Sequence, residues 1–112
     1  MQNLGFTEAD WKLFRKRLPE WQERYMEGLV EEYKAFLSSE VPASTKFWEL
    51  EKRLKKDKRK TGVLAEGISR SNMKFLMMDL INEGAIAEDD FDGFSDDYRD
   101  QLIFYYANVR KK

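Results

Sequence analysis

Apolar side chains recur along the chain in steps of three and four, and no stretch alternates with period two, so the pattern predicts helices and no sheet. Trp11 and Phe14 follow Thr7 and Asp10, a pair with the spacing of a capping box in which Asp replaces the usual Glu. A first helix over 7–18 follows from this. Pro19 suits the first turn of a second helix, where its missing amide donor costs nothing. Trp21, Tyr25, Leu29, Tyr33 and Phe36 then carry a stripe over 19–38. Gly28 lies inside that stretch at up to about 1 kcal/mol relative to alanine. Close packing against a neighbour and simple tolerance both explain it.

Residues 38–42 interrupt the period. Ser44 or Thr45 can cap a third helix over 45–60, carrying Phe47, Trp48, Leu50 and Leu54 on an apolar face that ends before the helix does. A fourth, over 64–83, turns Ile68, Met73, Leu76, Leu80 and Ile81 inward and stops at Gly84. Phe91 and Phe94 anchor an acidic connection with room for one short helical turn. Ser95, beside Asp96 and Asp97, starts a last helix over 95–110 with Tyr98, Leu102, Tyr105 or Tyr106, and Val109 inward. The expected fold is all-α, a compact single-domain bundle of about four to five helices over 1–112.

Length agrees with one domain, since 112 residues bury a modest core and leave little for a second. The chain has no cysteine and no histidine, which removes disulfides, thiol catalysis, thiolate metal sites and the usual general base. The opening residues lack the charge, apolar core and cleavage site of a secretory leader. Nor does any apolar run approach the roughly 18 to 20 residues needed to span a bilayer, 75-FLMM-78 being the longest. A cytoplasmic location without membrane contact is expected.

A net charge of −1 conceals segregation. Residues 46–60 hold eight basic and three acidic groups, a balance of +5, and 79–100 hold nine acidic groups and one arginine, a balance of −8. In 88-EDDFDGFSDDYR-99, Glu88, Asp90 and Asp92 precede Gly93 as in the first half of a calcium loop, but Arg99 stands where a bidentate Glu should close the shell. These acids therefore read as a capped helix start. Serine chemistry lacks its histidine, 60-KTG-62 lacks a glycine-rich phosphate loop, and no residue is assigned to catalysis, a cofactor or a metal. The chain is expected not to be an enzyme.

The densest basic run, 52-KRLKKDKRK-60, has seven cations in nine positions. They spread around a helix and lack interleaved aromatics, so few can meet one phosphate surface and none supplies stacking. The segment 64-LAEGISRSNMKFLMMDLINEGAI-86 resembles the second half of a winged-helix DNA-binding unit. That resemblance implies major-groove contacts from Arg70, Asn72 and Lys74, with Lys52, Arg53, Lys56, Arg59 and Lys60 on the backbone. No basic wing follows, and 88-EDDFD-92 would repel phosphate. A single continuous helix from Leu64 explains the same residues, as does a start at Ser69; a break at 67–69 that leaves Arg70, Asn72 and Lys74 on an exposed face would favour DNA, and an unbroken helix would disfavour it. Nucleic acid is thus the less favoured partner.

The tryptophans and tyrosines read first as core, at helix-compatible positions, and second as a protein-contact patch. Neighbours on a helix diverge by about 100 degrees, so one member of Phe47-Trp48 and one of Tyr105-Tyr106 should be poorly buried. Trp48, Tyr105 and Tyr106 are the candidate contact residues, toward a protein partner or a second copy. The segments 7-TEADWKLFRKRLPEWQERYM-26, 46-KFWELEKRLKKDKRKTGV-63, 70-RSNMKF-75, 80-LINEGAI-86 and 94-FSDDYRD-100 together resemble small helical proteins of Gram-positive, often gut-dwelling bacteria. This resemblance implies a helical unit and a bacterial cytosolic setting, and brings no activity with it.

Overall fold

A computed structural model describes residues 5–110; residues 1–4, on which part of the argument against a leader rests, lie outside that range. The described chain is all-helical: α1 (Glu8–Leu37), α2 (Ala43–Asp57), α3 (Met73–Asn82), a 3-10 turn (Glu88–Phe91) and α4 (Asp96–Arg110). The domain measures 58 × 28 × 20 Å. Its length comes from α1. The first half of α1 enters a body with α3, the 3-10 turn and α4, and its second half pairs with α2 as a helical arm.

α1 corrects the expected break at 18–19, because Pro19 lies inside one helix of 30 residues. An interior proline costs about 3 kcal/mol. Trp11, Phe14, Leu18 and Trp21 form one buried stripe across it, and each such side chain contributes about 1.5–3 kcal/mol when buried. Pro19 and Arg15 are both exposed. The Arg15 carbonyl that loses its donor therefore lies on the solvent side, where water can bond it.

The capping box at the start of α1 forms as expected. Thr7 Oγ1 accepts from the Asp10 amide at 3.1 Å, and Asp10 Oδ2 accepts from the Thr7 amide at 2.9 Å. Asp10 also takes the Ser95 amide at 2.7 Å and the Ser95 hydroxyl at 2.6 Å. One carboxylate, 2% exposed, thereby joins the starts of α1 and α4. Burial pushes its pKa up, but the bonds from Ser95 and Thr7 outweigh that and hold it below the usual aspartate value.

The expected helix over 64–83 is broken. Helix begins only at Met73, after an irregular segment in which Gly67 takes φ +65° and its carbonyl accepts the Asn72 side-chain amide at 2.8 Å. A left-handed residue cannot continue a right-handed helix. Ile68, expected inside, is 46% exposed. Five of the ten α3 residues are buried, namely Met73, Leu76, Met77, Leu80 and Ile81. At its end the Ala85 amide reaches Leu80 O and the Gly84 amide reaches Ile81 O, closing the helix at the expected glycine.

α2 ends at Asp57 rather than 60, so Lys58, Arg59 and Lys60 lie in successive tight turns. Glu83 holds the turn that follows, its two oxygens accepting the Thr61 and Gly62 amides at 2.9 Å each. Close packing belongs to Gly62, where a Cβ would meet the Tyr25 ring at 2.5 Å. Gly28 has nothing within 4 Å, so it is tolerated and not required.

Candidate protein-contact surfaces

The arm is assembled against the usual sense of an amphipathic helix. Half-buried positions on α2 are Lys46, Glu49, Leu50, Arg53 and Asp57, spaced by three and four along the side that meets α1. That stripe is mostly polar. Arg53 lies over the Phe36 ring at 4.2 Å and bonds Glu49 at 3.3 Å, and Asp57 accepts the Tyr33 hydroxyl. Burial, and then the Asp57 carboxylate, push the Tyr33 pKa up to about 12.

With its polar positions turned to α1, α2 sends its apolar ones outward. Phe47 is 65% exposed, Trp48 62% and Leu54 42%, and α2 has no fully buried residue. The Phe47 and Trp48 rings meet edge to face at 5.1 Å and form a single knob near the arm's tip. Val30, Leu37 and Val41 add further exposed apolar surface to the arm. The expected inward face of Phe47, Trp48 and Leu54 is thus corrected, and both members of the 47–48 pair are open.

The other aromatic pair behaves differently. Tyr105 and Tyr106 are both half-buried against the body. The Tyr105 hydroxyl donates to Asn82 at 3.0 Å, and Tyr106 meets Phe91 edge to face at 5.9 Å. Beside Tyr105, between α3 and α4, runs a mainly apolar groove of about 580 Å³ lined by Lys74, Met78, Asp100, Leu102 and Phe104, among others. Phe104, on α4, is 72% exposed and Phe75, on α3, 60%. The sequence reading does not single out these two phenylalanines. Their signal is that each lies off the apolar stripe of its own helix.

The break at Gly67 leaves Arg70, Asn72 and Lys74 exposed, as a DNA-contact face would need, but the proposed nucleic-acid residues are drawn to different tasks. Arg70 makes two hydrogen bonds to Glu8 and lies 5.3 Å over Trp11, and the bond holds the Glu8 carboxyl below its usual pKa. Asn72 closes the Gly67 turn, Lys74 lines the α3–α4 groove, Arg53 packs on Phe36, and Lys60 lines the same cleft as Tyr25. Lys52 and Arg59 are exposed. Lys56 lines a cleft of about 600 Å³ at the arm's root, where Glu32, Asp57 and Glu83 balance most of the cations. No strand, and hence no wing, occurs among the described residues.

The acidic connection meets α1 and not the basic run. Arg24 grips Asp90 at 3.0 and 2.9 Å and reaches Ala85 O at 2.9 Å, while Arg17 donates to the carbonyls of Asp90 and Asp92. Asp90 is also engaged by the Ala87 amide at 2.9 Å. Among the described residues no three acids gather as a metal site, and no helix is long and apolar enough to cross a membrane. Compared with protein-family models, curated proteins and solved structures, the chain matches none.

Proposed function

We propose that this chain is a cytosolic, non-enzymatic contact module whose arm is covered by protein in its working state. The observation that carries the reading is the orientation of α2, which faces α1 with Lys46, Glu49, Arg53 and Asp57 beside a single apolar residue, Leu50, and faces outward with Phe47, Trp48 and Leu54. A helix that served only the fold would gain by the opposite arrangement. Clustered exposed aromatics of this kind mark association surfaces. The non-enzymatic part of the reading rests on a chain without histidine or cysteine and on cations engaged in folding contacts.

The test compares the wild type with Phe47→Ser/Trp48→Ser for complex formation, with itself by sedimentation and with bacterial proteins by immobilised capture. A stoichiometric complex that the double substitution removes, with helicity unchanged, is the expected result. A wild type that forms no complex of either kind, or a complex indifferent to the substitutions, would overturn the reading.

A further inference from the structure

Resting on the arm as a contact surface, a more specific assignment follows from the charges on each side of the molecule. We infer that the arm's partner is a second copy of this chain, the Phe47–Trp48 knob of each copy seating in the α3–α4 groove of the other.

The two surfaces are complementary in kind. The knob is aromatic and open, and the groove is apolar, walled by Met78, Leu102 and Phe104. Methionine adapts its shape to an incoming ring, and Phe104, 72% exposed, offers a further aromatic face. They also match in charge. Lys52 follows Trp48 by one helical turn and stands exposed beside the knob, while Glu51, one turn past Phe47, is paired with Lys55 at 3.9 Å. Lys74 and Asp100 line the groove, one of each sign. On the larger scale segment 46–60, which spans the knob and the turns that follow α2, carries +5 and segment 79–100 carries −8, which favours encounter between the opposite segments of two copies.

Within one copy the ion pairs leave both surfaces available. The acidic connection is held by Arg17 and Arg24 of α1, and Lys52, Arg59, Asp97 and Asp100 are exposed. Area then argues for reciprocity. A large aromatic residue buries about 150–250 Å², so one knob falls short of the roughly 1,200–2,000 Å² of a stable interface. Two knobs in two grooves, with Phe75 and the arm's other exposed apolar side chains, come within reach of it. An elongated molecule of 58 × 28 × 20 Å lying antiparallel to its copy places each arm beside the other body, and such two-fold pairing closes on itself.

Sedimentation of three proteins tests this: wild type, Phe47→Ser/Trp48→Ser, and Phe104→Glu, whose substitutions all fall on exposed side chains that the fold can lose. The wild type is expected to be a dimer and each variant alone a monomer. An equimolar mixture of the two variants should recover a heterodimer, weaker than the wild type by about 100-fold or more, because one intact knob still meets one intact groove. A wild type that stays monomeric at high concentration would overturn the second copy as partner while leaving the arm open to another protein. A dimer that survives Phe104→Glu, or a mixture that recovers nothing, would place the contact elsewhere than the groove. A dimer that survives loss of the knob would overturn both this assignment and the arm as its surface.

Discussion

The body and the arm are built from similar residues to opposite effect. In the body Trp11 and Trp21 are 5% and 4% exposed, and Phe14, Met73, Met77, Leu80 and Phe91 are fully enclosed. In the arm Trp48 is 62% exposed, and α2 encloses nothing. The arm is held by the Tyr33–Asp57 hydrogen bond, by Arg53 on Phe36 and by α1 itself, which is anchored below in the core. The difference teaches that amphipathic spacing reports a side of a helix without saying which neighbour it faces. In the body that neighbour is the rest of the chain. In the arm the apolar side is left largely open to solvent.

The comparison breaks most severely at Asp10. Asp10→Asn removes the charge that accepts from two helix starts, and hydrogen bonds to a charged group contribute about 1.5–3 kcal/mol, to be read from denaturant unfolding. Because the folded-state pKa lies below the ordinary value of 3.8, the wild type's advantage should be complete above that pH and vanish as pH falls through the lowered value. An advantage that does not shrink as the pH is taken below 3.8 would contradict the assignment.

The arm's own bond is smaller. Tyr33→Phe should cost about 1 kcal/mol at neutral pH. With its pKa raised from 10.0 to about 12, Tyr33 stabilises fully below pH 10 and loses that contribution as pH rises through 12. Melting curves of the two proteins should therefore converge over that window. Smallest of all, Gly28→Ala meets no neighbour and should stabilise the arm by about 0.4–1 kcal/mol through the unfolded chain. A loss of stability in the same denaturant assay would show that this glycine is packed after all.

Much of the fold is legible in the chain because its signals are local. Thr7 with Asp10, the stop at Gly84, and Phe91 with Phe94 each act within a few residues, and the structure follows them. Pro19 is misjudged because its cost is local while the burial that overrides it comes from α3 and α4. Residues 64–72 read as helix by spacing, whereas the left-handed Gly67 and the Arg70–Glu8 contact, 62 residues apart in the chain, set their path. Of the contact candidates, Trp48 is exposed as a contact residue requires, and Tyr105 and Tyr106 pack against the body. The groove beside them is made by the meeting of two helices and is invisible in either one alone.

The most direct test of the claim that a second copy covers the arm's aromatic face is acrylamide quenching of Trp48 as concentration rises. Its signal is the difference between the wild type and Trp48→Phe, with Trp11 and Trp21 as enclosed references. The account predicts that Trp48 is freely quenched in dilute solution and becomes shielded as copies associate. A Trp48 that is shielded in the dilute chain, or that stays open at every concentration, would contradict it.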